Sequence, residues 1–223
     1  MDNLSPVSKR QTKAESELSS AIDRYLVFLK AEENKSPLTI DTYRQSLNMF
    51  IELGGVNSPS AVTKATMRMY KSALHSYRTK SDGELAIRTK NHHLTIVRAF
   101  LKYLITEEEM DVYPPDRIKR FKEDPRKVKV LFKEELDRLL DAPDTNTKIG
   151  KRDKAILELF FSTGLRLTEL RMLDIDDINY KTLEISVRGK RGKIRVVFIS
   201  DKAAECLKRY MEIRLDHLTP LFI

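Results

Sequence analysis

The spacing of apolar residues changes part-way along the chain, and this change constrains the fold more than any other feature. Through about the first 110 residues, apolar side chains recur every three to four positions, which predicts amphipathic helices. Over residues 182–199 they alternate with polar side chains, which predicts the two strands of a β-hairpin. We therefore predict a mainly α protein with a small β-hairpin or sheet, in the α+β class.

Four helices are predicted in the first part of the chain, over about residues 16–31, 36–54, 63–77 and 84–107. Ser36-Pro37 opens the second helix, because serine accepts a free amide proton and proline fits the first helical position. Gly54-Gly55 closes that helix, because glycine adopts the left-handed conformation without strain. Four helices and no strand pattern predict a small helical domain over residues 16–110.

Residues 111–130 differ in character from the segments on either side. Pro114-Pro115 cannot continue a helix, and basic residues are frequent in the rest of the segment. We interpret it as an extended basic linker to a second domain over residues 131–223. The composition leaves two roles open, an ordinary solvated connector or a contact with phosphates.

The second domain is predicted to combine helices with the hairpin. Its helices are expected over about residues 133–141, 151–163, 167–173 and after Ser200, with strands over about 182–187 and 194–199. The second helix is apolar around much of its circumference, so we expect it to be buried. The apolar end of the chain, residues 219–223, is expected to start another strand.

Composition excludes several classes of protein. Lysine and arginine outnumber aspartate and glutamate by 41 to 33, a net charge of +8, which makes a polyanion the leading class of partner. No apolar run approaches the roughly 18 residues that a membrane-spanning helix needs. The polar residues 1–15, where Thr12 and Glu15 have capping-box spacing, resemble no secretory signal. We expect these residues to be a disordered tail and the protein to be cytoplasmic.

Metal sites and covalent cross-links are not expected. The single cysteine, Cys206, excludes an internal disulfide and a cysteine-rich zinc site. His92 and His93 are neighbours, so on a helix they point in different directions and chelate poorly. Neither a serine elbow nor a phosphate-binding glycine loop occurs. We therefore predict no metal and no cofactor.

Two segments could carry chemistry. In the first, Gly164 ends an apolar helix and Arg166 stands at the base of the next, where its planar fork could give two hydrogen bonds to a phosphate. Glu169 lies one turn further along and could orient a neighbouring group. In the second, the hairpin from Arg188 to Arg195 crowds cations into a glycine-flanked turn that could reach a phosphate or a DNA minor groove. Each segment also has a purely structural alternative. The first could be a capped helix junction with a weak surface ion pair, and the second a solvated hairpin tip.

Together these segments resemble the tyrosine recombinase (phage integrase) family, most closely its Xer-like branch. Arg166 lies in Thr-Gly-Leu-Arg-x-x-Glu-Leu, and Lys190 follows 24 residues later in a Gly-Lys-x-Gly-Lys hairpin. Residues 25–29 with 36–43, and residues 91–103, are similar to the helical core-binding domain of that family. The resemblance covers about residues 16–223. It implies a four-helix, SAM-like core-binding domain followed by the first part of a catalytic domain.

The resemblance also implies an activity. Family members cut one DNA strand at a time with a tyrosine, through a 3′-phosphotyrosyl intermediate and without metal or nucleotide energy. Arg166 would clamp the scissile phosphate, Lys190 would protonate the leaving 5′-oxygen, and Glu169 would steady the site as the family's acidic supporting residue. The complete recombinase would act as a tetramer on two double-stranded DNA sites.

The chain departs from the family pattern after Lys190, where no His-x-x-Arg occurs and no tyrosine stands in the nucleophile's place. We expect a DNA-binding fragment that is monomeric and cannot cleave. A naturally short, non-catalytic accessory protein is the alternative, and a helical interaction domain without a nucleic-acid role is a weaker third. The residues predicted to contact DNA are Arg44, Lys90, Arg98, Arg120, Lys122, Arg126, Lys127, Lys129, Arg188, Arg191 and Lys193.

Overall fold

A computed structural model describes residues 16–79, 83–125, 128–189 and 193–223. The chain divides into two compact units, Met1–Arg126 and Lys127–Ile223. The predicted tail, with its Thr12 and Glu15 pair, lies outside the described residues. Within the described ranges, no helix combines the length and apolar character needed to cross a membrane.

The first unit is helical, as predicted. Its described helices are α1 (Glu17–Ala31), α2 (Pro37–Gly54), α3 (Lys64–Ser76) and α4 (Ile87–Thr106). Short 3₁₀ turns occur at Pro59–Ala61 and Pro115–Arg117.

The ends of α2 follow the predicted capping. The Ser36 hydroxyl accepts a hydrogen bond from the Thr39 amide at 3.3 Å, and Pro37 takes the first helical position. Gly55 adopts a left-handed conformation with φ of 62°, which ends the helix. Helix α4 begins three residues later than predicted, because Glu84 pairs with Arg78 in a short antiparallel bridge instead of entering the helix.

The core of the first unit lies where the four apolar faces meet. Phe50 of α2 and Tyr70 of α3 pack edge to face, with ring centroids 4.9 Å apart. Leu94 and Leu101 bring α4 against them and are fully buried. Ile87 and Ile105 lie near the ends of α4 and remain more than a third exposed.

The first half of the predicted linker differs from the expected extended connector. Val112 and Ile118 are buried in the core of the first unit. The buried amide of Asn91 pairs with the backbone of Phe121, accepting from its N–H at 2.7 Å and donating to its carbonyl at 3.0 Å. Prolines rule out an α-helix here, but they do not prevent apolar side chains from packing, and the segment therefore packs onto the first unit, which extends to Arg126.

The second unit has helices on a small antiparallel sheet. Its described elements are α5 (Lys133–Asp141), α6 (Lys148–Thr163), α7 (Leu167–Arg171), β1 (Ile178–Asn179), β2 (Glu184–Arg188), β3 (Ile194–Phe198) and α8 (Asp201–Met211). The strand order is β1-β2-β3. The hairpin of β2 and β3 confirms the alternating pattern, whereas β1 was not predicted because two residues are too few to show a period.

The core of the second unit forms between α6, α8 and the inner face of the sheet. Leu159, Ile185 and Leu207 are fully buried there. Helix α6 is less buried than predicted, since Phe161 is 60% exposed. The end of the chain pairs with residues 173–175 through a single bridge rather than as a full strand, with the Leu221 amide donating to the Leu173 carbonyl at 2.8 Å.

Candidate active site

Glu169 is the centre of the candidate site in the second unit. Helix α6 ends at Gly164, whose left-handed φ of 62° turns the chain so that Arg166 becomes the N-cap of α7. The Glu169 carboxylate reaches back to that cap. It accepts from the Arg166 amide at 2.8 Å and from Arg166 Nη1 at 2.8 Å. The acidic residue therefore caps the amide of Arg166 and also holds its guanidinium.

Arg195 of β3 binds the same carboxylate. Its Nη1 donates to Glu169 Oε1 at 2.9 Å and its Nη2 to Oε2 at 2.8 Å, the parallel two-bond geometry that an arginine fork gives to a carboxylate. The Glu169 side chain is only 5% exposed, so its charge is neutralised mainly by these two arginines. One acid therefore fastens the hairpin strand to the base of α7.

The three charges set the protonation of the site. Hydrogen bonds from Arg195, and then from the Arg166 backbone, hold the pKa of the Glu169 carboxyl far below its ordinary value. The same pairing raises the pKa of Arg195. The Arg166 side chain remains 71% exposed, so only part of its fork is used by Glu169. Its outward N–H groups are available to an anion in solvent.

Gly189 stands at the base of the hairpin turn and contacts this cluster. Its amide donates to the Lys193 carbonyl at 2.7 Å, which extends the β2–β3 ladder by one step. A Cβ at this position would lie 3.2 Å from Arg195 Nη1 and 3.8 Å from Glu169 Oε1. A side chain would therefore crowd the arginine that Glu169 binds, so glycine suits this position.

The structure places the basic residues predicted for the site in several environments. Four of them lie outside the described residues: Lys190, Arg191, Arg126 and Lys127. Exposed positions are found for Arg120, Lys122, Lys129, Arg188 and Lys193. On the first unit, Arg44 pairs with Asp23 at 2.6 Å and Arg98 with Asp116 at 3.6 Å, but both guanidiniums keep partial exposure.

Lys90 requires a correction. Its side chain is 2% exposed, and its ammonium donates to the His75 carbonyl at 2.9 Å. His75 lies in the last turn of α3, where unpaired carbonyls and the helix dipole favour a cation. Lys90 therefore joins α4 to the end of α3, and the predicted contact with DNA is wrong because the ammonium does not reach the surface.

Arg195 is the site residue that the sequence analysis missed. On β3, the apolar side chains of Ile194, Val196 and Phe198 are more than half exposed. The register pairs Arg195 with Val187, a buried residue, so Arg195 points to the inner face. An arginine between apolar neighbours two residues after the Gly-Lys-x-Gly-Lys motif was the available signal.

Comparison with known proteins identifies the family. Residues 129–221 match the Phage integrase family and residues 22–108 match the Phage integrase, N-terminal SAM-like domain. The chain is 32% identical over 212 residues to tyrosine recombinase XerC of Thermodesulfovibrio yellowstonii, covering 91% of this chain and 68% of that protein. The chain belongs to the tyrosine recombinase family.

Another tyrosine recombinase, XerC of Actinobacillus succinogenes, is 33% identical over 206 residues, which are 89% of this chain and 66% of that protein. For XerC of Pelotomaculum thermopropionicum the identity is 32% and the chain spans 63% of the relative. The chain thus spans a little less than two thirds of the length of these two recombinases.

Solved structures of tyrosine recombinases share the fold. The integrase of transposon Tn1549, in complex with circular intermediate DNA, aligns with a TM-score of 0.68 at 16% identity, covering 91% of this chain and 67% of that one. The recombinase XerH, bound to a palindromic difH substrate, aligns with a TM-score of 0.61 at 21% identity, covering 93% of this chain and 64% of that one.

Proposed function

We propose that this chain is the DNA-binding part and the first half of the catalytic centre of a site-specific recombinase acting on duplex DNA. The observation that carries the proposal is that the Glu169 carboxylate binds both Arg166 and Arg195. This carboxylate therefore joins the base of the cationic hairpin to the arginine at the junction of α6 and α7, although the two segments are distant in sequence. The relatives named above, one of them a transposon integrase bound to DNA, support the choice of partner.

In the complete recombinase, strand cleavage breaks the bond from phosphorus to the 5′-oxygen and forms a bond from phosphorus to a tyrosine oxygen. Negative charge accumulates on the non-bridging oxygens in the transition state. Arg166 would stabilise those oxygens with the N–H groups that Glu169 leaves exposed. Lys190 would give its proton to the departing 5′-oxygen, so that no metal is required.

Glu169 and Arg195 act through Arg166 rather than on DNA. Glu169 is buried and occupied by both arginines, so it fixes the direction of the Arg166 fork before DNA binds. Arg195 carries this constraint to β3 and to Gly189, the residue that precedes Lys190. We assign both as positioning residues.

The 223-residue chain itself is proposed to bind duplex DNA as a monomer and to form no covalent adduct. The reason is chemical, because no His-x-x-Arg follows Lys190 in the sequence. The tetramer on two sites is proposed only for a complete recombinase. A non-catalytic DNA-binding accessory protein is the second candidate. The reading frame after Ile223 distinguishes the two, since a stop codon supports the accessory protein.

Duplex binding by the chain tests the proposal. Affinity for labelled duplexes should fall steeply with salt, because each phosphate neutralised releases counterions and contributes about −0.9 to the log–log slope. Binding that is absent at low salt, or that does not respond to salt, would contradict the proposal. Incubation with nicked duplexes should give no protein–DNA adduct on a denaturing gel.

Catalytic roles need a longer product of the same gene, if the frame continues to a His-x-x-Arg pair and a tyrosine. In that protein, Arg166→Ala or Lys190→Ala should each slow cleavage by about 10²–10³, the usual cost of one charge-stabilising group. Duplex affinity should change little. Cleavage at the wild-type rate in either variant would remove that residue from the mechanism.

A further inference from the structure

The strand β3 forms one edge of the three-stranded sheet, and its outer face is apolar. Ile194, Val196 and Phe198 point away from the core, with 67%, 52% and 67% of their surface exposed. No charged side chain interrupts this row, because Arg195 lies on the opposite face and binds Glu169. Edge strands of soluble proteins are commonly protected by outward charges or by proline, and β3 has neither on this face.

The same three residues carry the outward backbone groups of this β3 edge. In an antiparallel ladder, alternate residues exchange hydrogen bonds with the neighbouring strand, and the others face away from it. The Gly189 amide donates to the Lys193 carbonyl and the Ile199 amide to the Leu183 carbonyl, so the odd-numbered residues of β3 face β2. The even-numbered residues therefore face outward. Within the described residues, no backbone hydrogen bond outside the ladder uses their amides or carbonyls.

A second copy of the β3 edge fits the first in one register. Ile194 and Phe198 lie at equal distances on either side of Val196, so an antiparallel pairing can place Val196 opposite itself and Ile194 opposite Phe198. In that register each pair exchanges both of its N–H···O bonds. The two-fold axis is perpendicular to the sheet, so the apolar side chains of both copies lie on the same face and contact one another across the strands.

The area of this contact is that of a weak interface. Each copy offers about 300–400 Å² of apolar surface, if a large side chain counts as about 150–250 Å² and is taken at the exposed fractions above. A stable interface buries roughly 800 Å² on each partner. The net charge of +8 on each chain also opposes association. The free chain is therefore monomeric at low concentration, as proposed above, and pairs when it is concentrated and salt screens the charge.

We propose that the β3 edge is an interface between two copies of this chain, which joins their three-stranded sheets antiparallel across Val196. The pairing needs no DNA, so it is independent of the proposed function. Two chains held side by side on one duplex would reach a high local concentration, and only this consequence rests on the proposed function.

Disulfide trapping of the concentrated chain at high salt tests the register. In a Cys206→Ser background, Val196→Cys should form a disulfide-linked dimer under mild oxidation, because hydrogen-bonded partners lie about 5.5 Å apart at Cα, within the span of a disulfide. Ile194→Cys alone should stay monomeric, since its two copies would lie about 14 Å apart along the strands. Mixed with Phe198→Cys, it should give a heterodimer.

Ser186→Cys, in the same background, is the matched control for trapping. Ser186 lies opposite Val196 on β2 and on the same exposed face, but one strand further from the edge. Its two copies would lie about 14 Å apart across the joined sheet, so no dimer should form. Trapping of Ser186→Cys as fast as Val196→Cys would indicate random collision and would overturn the proposal. Failure of Val196→Cys to dimerise, or of the mixture to give the heterodimer, would also overturn it.

Sedimentation equilibrium tests the interface without oxidation. Wild type at high concentration should form a dimer that weakens as salt is lowered. Val196→Lys should raise the dissociation constant by about tenfold or more, because two ammonium groups would face each other across the axis, whereas Ser186→Lys should raise it much less. Both positions are exposed, so both variants should keep the wild-type unfolding midpoint. A wild type that remains monomeric, or equal association of all three proteins, would overturn the interface and leave the proposed function standing.

Discussion

Arg195 and Glu169 are joined by two parallel hydrogen bonds of 2.9 and 2.8 Å, although 26 residues separate them in sequence. The pair connects an edge strand to a five-residue helix. Because Glu169 also holds Arg166, a change at the hairpin is transmitted to the arginine proposed to bind phosphate. A helix as short as α7 cannot hold a long side chain in one direction without such support.

The charge of Glu169 should make the stability of the second unit depend on pH. Its folded-state pKa lies well below the ordinary value of 4.5, so its contribution is present above that pH and is lost as pH falls towards the folded-state value. Glu169→Gln should lower the free energy of unfolding at neutral pH, and the difference from wild type should shrink below about pH 4.5. Denaturant titrations from pH 7 to pH 3 measure this. Glu205→Gln, at an exposed pair with Arg209, is the control and should show little difference at any pH.

Replacement of Arg195 by lysine should loosen the hairpin while keeping the charge. Lysine offers one ammonium, which cannot form the two parallel bonds that hold Glu169. We expect faster amide hydrogen exchange at Val187 and Gly189 and less change in α8. The exposed Arg209→Lys is the matched control. Unchanged exchange in Arg195→Lys would show that charge alone positions the strand.

Lys90 should matter for folding rather than for DNA. Lys90→Met keeps the length of the stem but leaves the His75 carbonyl without its donor, at a cost of about 1–3 kcal/mol in the free energy of unfolding. Duplex affinity of the folded variant should equal that of wild type. Arg88→Met, on an exposed face of the same helix, should cost much less stability. A variant of normal stability and weak DNA binding would restore the original prediction for Lys90.

Asn91 should control the segment that leaves the first unit. Asn91→Leu is similar in shape but leaves the N–H and carbonyl of Phe121 unpaired. Trypsin should then cut faster after Arg120 and Lys122. His92→Leu, at the exposed neighbouring position, should be digested at the wild-type rate. Equal digestion of all three proteins would mean that core packing alone holds the segment.

Local signals were enough to predict most helices. Helix caps act within one turn, so they can be predicted from the sequence; examples are Ser36 and the left-handed glycines Gly55 and Gly164. The family motif likewise singled out Arg166 and Glu169. These predictions rest on contacts between residues three or four positions apart.

Long-range partners were not predictable in the same way. From the sequence, Lys90 is expected to be a surface cation. Its burial depends on the end of α3, where its ammonium donates to the His75 carbonyl. From the sequence, Arg195 is expected to point outward, because the apolar side chains that alternate with it on β3 look like a buried face, although they are exposed. Packing of the segment after Val112 depends on Asn91, which lies 30 residues from Phe121 in sequence. In each case the deciding partner comes from another element.

Arg166 and Lys190 are proposed to act on one phosphate. A duplex selected for binding from random sequences can be prepared with a single uncharged methylphosphonate at each linkage in turn, and the affinity of the chain measured for every member. We predict that a methylphosphonate at one linkage lowers the affinity of wild type slightly, and that this loss is smaller in both Arg166→Ala and Lys190→Ala. A smaller loss at different linkages in the two variants would show that the two residues contact different phosphates.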